Sequence, residues 1–215
     1  IEYFEPYYAE FEGSVEVGQI YHGYIDISED VVSSLAGTCE VDINCSEGDN
    51  WQTEKKAVCR IIFGIRACSG ALINNTNYDG TPYFLTANHC ISTEADAQKC
   101  IFYFNYENKT CGVQSTSSVQ TLSGATLKAT STNTDFTLLK MLDVPNINCQ
   151  PYYAGWDRNI SHGEGGVGIH HPQSLPKKIS TYEIAPKLQS CLDLYPANFY
   201  LIDEWIETEH GHGVT

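Results

Sequence analysis

Two short stretches decide the fold of this chain: Cys68–Ile73, with the sequence CSGALI, and Phe84–Cys90, with the sequence FLTANHC. Both favour strands, and the segment between them carries Asp-Gly and Pro turn signals, so the pattern predicts a β-hairpin. A disulfide between Cys68 and Cys90 would close the open end of this hairpin and contribute roughly 3 kcal/mol in the chain-entropy model. It would also hold His89 rigidly, as a histidine that acts as a general base must be held.

The rest of the chain also reads as β structure. Candidate strands are rich in Ile, Val, Phe, Tyr and Thr and are separated by turn signals: Ala57–Ile65, Ser69–Ile73, Tyr83–Thr86, Ile101–Tyr106, Thr121–Thr130 and Phe136–Met141. A sustained 3.6-residue period, which would indicate a long amphipathic helix, does not occur. Short strands at this spacing predict an all-β sandwich or barrel fold.

The charge balance excludes several classes of partner. The 215 residues include 12 Lys and Arg against 27 Asp and Glu, which gives a net charge of −15. A nucleic-acid binder needs a basic surface that faces phosphate, and an anionic membrane surface would repel this chain. The sequence also has no apolar run of about 18 residues, the length of a membrane-spanning helix. We therefore expect neither nucleic-acid nor membrane partners.

Cysteine usage indicates the compartment. The chain has nine cysteines, more than a reducing cytosol usually contains outside metal sites, and we expect a secreted protein with disulfides. The sequence has no C-x-x-C pair, the usual zinc spacing, and the odd count leaves one cysteine without a partner. The sequence therefore predicts no metal and no cofactor.

Two histidine pairs are the remaining candidates for a metal site. His170 and His171 are adjacent, so on a strand they would point to opposite faces and would seldom bind one ion. His210 and His212 have a better spacing, but they lie in a glycine-rich segment that we expect to be a solvated loop. The absence of a His-Glu-x-x-His motif also argues against a metal-dependent hydrolase.

The segment Thr86–Cys90 resembles the catalytic-histidine motif of trypsin-like serine proteases, in which Thr-Ala-x-His-Cys is disulfide-bonded to an upstream Cys-x-Gly strand. Within that superfamily the chain is most similar to the bacterial lysyl endopeptidase group. The similar segments occur in the same order: Gly37–Gly48, Cys68–Thr76, Phe102–Tyr106, Leu122–Ala125, Asp135–Leu139, Ala154–Arg158, Ile169–Pro172, Lys177–Ser180 and Gly213–Thr215. The resemblance implies two antiparallel β-barrels of the trypsin-like fold, with the second barrel incomplete.

The same resemblance implies two catalytic residues. His89 takes the position of the general base, and Asp135 takes that of the carboxylate that orients it. Either residue alone could be structural, but their order and the flanking cysteines favour the catalytic interpretation. The Gly-x-Ser-Gly element of the nucleophile should follow Gly213–Thr215. We therefore expect this fragment to be inactive.

Disulfides beyond the hairpin also follow from the resemblance. It implies a Cys45–Cys111 bond, and it gives Cys39 a partner near the end of a complete chain, beyond residue 215. Four cysteines remain outside the family pattern and could pair in three ways. The favoured pairs are Cys149–Cys191 and Cys59–Cys100.

The first 36 residues differ from the rest, with eight acidic and no basic side chains and a strand-like alternation over Ser14–Tyr21. We interpret residues 1–36 as the end of a pro-region or an N-terminal extension, and residues 37–215 as the protease domain. An extra edge hairpin is the alternative for residues 1–36.

The function implied is a secreted serine endopeptidase, expected to be a monomer, that acts on protein or peptide substrates and cuts after lysine. The first basic residue is Lys55, so an enzyme specific for lysine could not release a pro-segment near Gly37. Three alternatives follow: another protease cuts near Gly37, the enzyme is not specific for lysine, or the segment stays attached. The rival hypothesis is a pseudoprotease, a secreted binding or adhesion module without a catalytic serine.

Overall fold

The computed structural model describes residue 8 and residues 40–159, 163–190 and 198–212. The predicted strand Ser14–Tyr21 lies outside these ranges, as do Cys39, Cys191 and Gly213–Thr215.

The described residues form sixteen strands and one α-helix. The helix, α1 (Glu94–Lys99), begins after Thr93, whose hydroxyl accepts a hydrogen bond from the Asp96 amide. The strands are β1 (Val41–Asp42), β2 (Val58–Phe63), β3 (Arg66–Ile73), β4 (Tyr83–Thr86), β5 (Ile101–Phe104), β6 (Asn108–Thr110), β7 (Val113–Thr116), β8 (Gln120–Ser123), β9 (Ala125–Ser131), β10 (Phe136–Met141), β11 (Gly166–His170), β12 (Lys178–Tyr182), β13 (Lys187–Ser190), β14 (Asn198–Leu201), β15 (Glu207–Thr208) and β16 (Gly211–His212).

Seven strands form one antiparallel sheet in the order β8-β5-β2-β3-β4-β10-β9. The two outermost strands, β8 and β9, are joined in the chain by Gly124 alone. A single linking residue brings the two edges of the sheet together, so the sheet curls towards a barrel. Gly124 has a φ of +79°, which glycine adopts without steric cost, and its amide donates to the Cys100 carbonyl at 2.8 Å.

The inner face of the curled sheet is the hydrophobic core. Every second residue of β2 is buried, namely Cys59, Ile61 and Phe63, because side chains alternate between the faces of a strand. Phe84 and Phe102 pack edge to face inside, with ring centroids 4.9 Å apart. Full burial of one such side chain contributes about 1.5–3 kcal/mol. The core thereby fixes the ends of β4 and β10.

A second, smaller sheet has the order β1-β12-β11 among the described residues. Val41 and Ile179 are paired across β1 and β12 and are both buried. The all-β class, predicted from the sequence as two barrels with an incomplete second one, is confirmed. The structure consists of a curled seven-stranded sheet, this three-stranded sheet and short hairpins.

Buried charged groups connect the start of β12 to the short 3-10 helix before β2 (Glu54–Ala57) and to the loop after β5. Lys177 is fully buried, and its Nζ donates to the Lys55 carbonyl at 2.7 Å. Glu107 accepts from Lys55 Nζ at 2.7 Å, and its other oxygen lies 3.7 Å from Lys177 Nζ. Desolvation lowers the pKa of Lys177, and the Glu107 carboxylate opposes that shift. Loss of one partner would leave a buried charge without compensation.

Both disulfides predicted from the family pattern are present, Cys45–Cys111 and Cys68–Cys90. The first joins the segment after β1 to the β6–β7 hairpin. The second joins β3 to the segment that follows β4.

The predicted Cys59–Cys100 pair is wrong, because both residues carry free thiols. The register explains this. Arg60 pairs with Tyr103 and Ile62 with Ile101, so Cys100 lies about four residues along the strands from Cys59. That offset is about 13 Å, whereas a disulfide needs Cα atoms within about 7 Å.

Cys149 also carries a free, buried thiol, which contradicts the predicted Cys149–Cys191 pair; Cys191 itself lies outside the described residues. Burial raises the pKa of Cys59 to about 12 and also raises the pKa values of Cys100 and Cys149. These buried thiols are therefore protonated at neutral pH and weakly nucleophilic.

The predicted bounds of β4 and β10 agree with the structure. The predicted continuous strand Thr121–Thr130 is wrong, because Gly124 divides it into β8 and β9. Within the described ranges, no helix is long and apolar enough to cross a bilayer.

Candidate active site

The structure brings the two predicted site residues, His89 and Asp135, into direct contact. The imidazole Nδ1 of His89 lies 2.6 Å from Oδ2 of Asp135. The second carboxylate oxygen, Oδ1, accepts the main-chain N–H of His89 at 2.9 Å. The Asp135 side chain is only 14% exposed, whereas that of His89 is 63% exposed. The pair is therefore anchored on the carboxylate side and open on the imidazole side.

A tight turn places His89 at this position. After β4 ends at Thr86, the amides of Cys90 and Ile91 both donate to the Ala87 carbonyl at 3.2 Å. The Cys68–Cys90 disulfide ties this turn to β3. The Thr86 hydroxyl donates to the Ser69 carbonyl at 2.9 Å and makes a second tie to the same strand.

Asp135 sits in the turn between β9 and β10 with a φ of +48°. This left-handed conformation is uncommon outside glycine, although aspartate tolerates it better than most residues. The main-chain carbonyl of Asp135 accepts a hydrogen bond from the main-chain N–H of Asn88 at 3.2 Å. The turn of Asp135 and the turn of His89 are thus joined by main-chain as well as side-chain contacts.

The arrangement can perform acid–base chemistry. A carboxylate that accepts the Nδ1 proton fixes the tautomer of the imidazole, so that Nε2 can act as the base. The same carboxylate stabilises the imidazolium that forms when Nε2 takes a proton.

An apolar cavity of about 210 Å³ lies between the two sheets and next to Thr86. Its lining comes from β2, β3, β4 and β11: Val58, Ser69, Gly70, Ala71, Leu85, Thr86 and Ile169. It therefore adjoins the turn that carries His89 on the side of the second sheet.

His170 and His171 do not occupy equivalent strand positions. His170 ends β11, and His171 follows it, 4% exposed and stacked on Tyr106. Nδ1 of His171 donates to the Leu175 carbonyl at 2.9 Å, and its amide donates to Ser69 Oγ at 2.8 Å. Burial lowers the pKa of His171 well below its usual value, and Lys177 adds to the effect. His171 is a neutral packing residue between the sheets.

His210 lies in an exposed turn, as expected of a solvated loop, but its imidazole has a partner in the structure. Nδ1 of His210 lies 3.0 Å from Glu47 Oε2 and joins the β15–β16 turn to the segment after β1. Burial acts to raise the pKa of Glu47, but hydrogen bonds with Thr208 and His210 outweigh it and lower the pKa.

Two groups of three side chains in the described part of the chain have a spacing that could fit a metal ion. One contains Cys45, Cys111 and His210, and the other contains Cys68, His89 and Cys90. In both groups the sulfur atoms belong to a disulfide, and a metal ligand must be a thiolate. Neither group has the donor chemistry of a metal site.

Sequence reasoning missed a set of polar side chains beside the pair. Asn88 donates to Thr130 Oγ1 at 2.7 Å, and Thr130 Oγ1 lies 2.7 Å from Thr137 Oγ1. Asn88 stands inside the TANHC segment, but its partners are on other strands. No local pattern marks them.

Among solved structures, the chain is similar to the inactive form of the Rv3671c protease from Mycobacterium tuberculosis, with 13% identity and a TM-score of 0.46 over 76% of this chain and 72% of that one. It is similar to Deg5 at 14% identity and the same TM-score, over 76% of this chain and 74% of the other.

A curled antiparallel sheet that brings a histidine and an aspartate together at its strand ends is a framework of trypsin-like serine proteases, and this chain falls in that class. Residues 34–215 match the family model of the lysyl endopeptidase C-terminal domain, and the chain belongs to that family. The chain is 31% identical over 159 residues to a lysyl endopeptidase of Pseudomonas aeruginosa, a match that covers 67% of this chain. It spans 34% of that relative's length.

Proposed function

We propose that the protein is a secreted serine endopeptidase that hydrolyses peptide bonds, with His89 as the general base and Asp135 as its orienting partner. The observation that carries the proposal is the 2.6 Å contact between His89 Nδ1 and Asp135 Oδ2. In a member of the lysyl endopeptidase family, such a contact prepares the imidazole to accept a proton at Nε2.

The nucleophile in this proposal is a serine that follows Thr215 in the full-length protein. Nε2 of His89 accepts the serine proton as the hydroxyl oxygen attacks the peptide carbonyl carbon, and the imidazolium then gives that proton to the departing amine. Water, activated in the same way, hydrolyses the acyl-serine. Asp135 stays ionised throughout and stabilises the imidazolium.

The serines of the printed sequence are poor candidates for this role, because none has a Gly-x-Ser-Gly setting. Ser69, in the hairpin next to His89, uses its Oγ to accept the His171 amide at 2.8 Å. We therefore propose that residues 37–215 are a protease domain that is inactive alone. Residues 1–36 are then the end of a pro-region or an extension.

Substrates in this proposal are proteins or peptides, cut after lysine as the family name suggests. The chain has no Lys or Arg before Lys55, so such an enzyme needs another protease to cut near Gly37. The two disulfides support secretion. The net charge of −15 favours basic substrates modestly at physiological salt. We propose a monomer that needs no cofactor, nucleic acid or membrane.

The test is hydrolysis of a lysyl peptide amide by the full-length protein and its variants. Asp135→Asn should lower kcat about 10⁴-fold, and His89→Ala about 10⁶-fold. Asp143→Asn, at an exposed carboxylate after β10, is the matched control and should retain the parent rate. Equal rates for the parent and His89→Ala would contradict the proposal. A parent protein that binds peptides without cutting them would support the pseudoprotease.

A further inference from the structure

A chain of hydrogen bonds begins and ends on the turn that carries His89. Asn88 Nδ2 donates to Thr130 Oγ1 at 2.7 Å, Thr130 Oγ1 lies 2.7 Å from Thr137 Oγ1, and Thr137 Oγ1 donates to the Ile91 carbonyl at 2.6 Å. Asn88 and Ile91 are on either side of His89 and Cys90. Thr130 and Thr137 belong to β9 and β10, the strands that flank Asp135.

The direction of these bonds follows from proton counting. A carbonyl oxygen can only accept, so the single Thr137 hydroxyl proton goes to Ile91. Thr137 Oγ1 must then accept from Thr130, because otherwise two oxygens would face each other at 2.7 Å without a proton between them. Thr130 has no second proton, so it accepts from Asn88, which places the NH₂ group of Asn88 towards it.

Asn88 and Thr137 therefore each have one defined orientation. The single proton of Thr130 has two acceptors within reach, Thr137 Oγ1 and the Phe136 carbonyl. Thr137 is fully buried, and its hydroxyl bonds cannot be replaced by water. Thr130 also lies 3.1 Å from the Phe136 carbonyl, directly after Asp135. The chain thus links the His89 turn to both sides of the Asp135 turn.

We propose that Asn88, Thr130 and Thr137 form a positioning network that holds the His89 imidazole against the Asp135 carboxylate. The inference rests on the proposed function, since it assigns these residues to the same catalytic pair. None of the three residues touches the reacting atoms; they act through the two turns. Small displacements matter here, because a misplacement of about 1 Å at a catalytic group can cost about a hundredfold in rate.

The decisive variant is Thr137→Val, which keeps the shape of the side chain and removes its hydroxyl. The Ile91 carbonyl then loses its donor, and Thr130 can give its proton only to Phe136. In the full-length protein we expect kcat to fall about tenfold with KM within twofold, because the geometry of the pair changes and the substrate contacts do not. Thr137→Ser restores the hydroxyl and should bring kcat back to within about twofold of the parent.

A second measurement does not depend on proteolysis. In the parent, the Nδ1 proton of His89, which is bonded to Asp135, should give a low-field proton NMR resonance. In Thr137→Val this proton should exchange with water at least about fivefold faster, which broadens the resonance. In Thr137→Ser the resonance should stay sharp. This experiment on the 215-residue chain tests the network even if the full-length protein cuts nothing.

The control is Thr126→Val on β9, the strand that also carries Thr130, where the hydroxyl donates to the Lys140 carbonyl at 3.5 Å, away from both turns. If Thr137→Val behaves like Thr126→Val in both measurements, or Thr137→Ser fails as badly as Thr137→Val, the network has no positioning role. If Thr137→Val does not fold, Asn88→Ala and Thr130→Val at the more exposed end replace it. Both should broaden the same resonance, and a sharp resonance in both would overturn the proposal.

Discussion

At the scale of single residues, two histidines of this chain have opposite environments. His89 is largely exposed and paired with a carboxylate, whereas His171 is buried, stacked on Tyr106 and bonded to the Leu175 carbonyl. Desolvation lowers the pKa of His171, and the nearby positive charge of Lys177 contributes further. His171 therefore packs as a neutral ring, while His89 is placed to exchange protons.

The buried ring predicts acid sensitivity of the fold. Arg60 and His170 are the other charged or titratable groups that act on His171, and both also lower its pKa. The unfolded chain takes up this proton near pH 6.5, and the folded protein only at much lower pH. Stability should therefore fall as the pH drops below 6.5, by up to about 1.4 kcal/mol per pH unit from this group.

His171→Asn keeps an N–H donor for Leu175 and should remove this part of the pH dependence. Urea unfolding at about pH 5 and about pH 7 measures it, as the difference in unfolding free energy between the two conditions. A difference as large in the variant as in the parent would show that His171 does not cause it.

The sequence allowed the prediction of His89 and Asp135 because each lies in a local motif. Asn88, Thr130 and Thr137 were missed because their relation exists only after β4, β9 and β10 are assembled. Hydroxyl and amide side chains at such positions look like ordinary turn and strand residues in the sequence.

At the scale of elements, the close approach of β3 and β4 supports the His89 turn. Gly70 lies on β3 where a Cβ atom would be 2.3 Å from Phe84 Cε1 and 2.6 Å from the Leu85 carbonyl. The neighbouring strand fills the space that any side chain would need. Glycine at this position therefore allows the hairpin between Cys68 and Cys90 to pack closely.

Gly70→Ala should destabilise the protein by about 1–3 kcal/mol, because a buried ring and a main-chain carbonyl must both move. Gly155→Ala is the matched control, since a Cβ atom there meets nothing within 4 Å. It should change stability by less than about 0.5 kcal/mol. Chemical denaturation of both variants measures the difference in their stability. If the two variants are equally stable, the close approach of β3 and β4 does not require glycine at position 70.

Element bounds were predictable where turn residues stand directly before a strand, as Pro82 does for β4 and Asp135 for β10. They were not predictable at Gly124, because the alternation of β8 runs on into β9 and only closure of the sheet separates them. The Cys59–Cys100 pair failed for a related reason, since spacing in the sequence does not reveal the offset between paired strands.

At the scale of the whole molecule, covalent and ionic links hold the segment after β1 to later parts of the chain. The Cys45–Cys111 disulfide spans 66 residues, which corresponds to about 4 kcal/mol in the chain-entropy model. Glu47 in the same segment binds His210, in the turn between β15 and β16. These two links hold the β6–β7 hairpin and the turn between β15 and β16 to the segment after β1.

The central claim is that His89 and Asp135 activate a serine that follows residue 215. The most direct measurement treats the full-length protein with a fluorophosphonate and locates the modified serine by mass spectrometry. We expect one modified serine, after Thr215 in the sequence, and at least about a thousandfold slower labelling in His89→Ala. Modification of a serine within residues 1–215, or labelling at the parent rate in His89→Ala, would contradict the account.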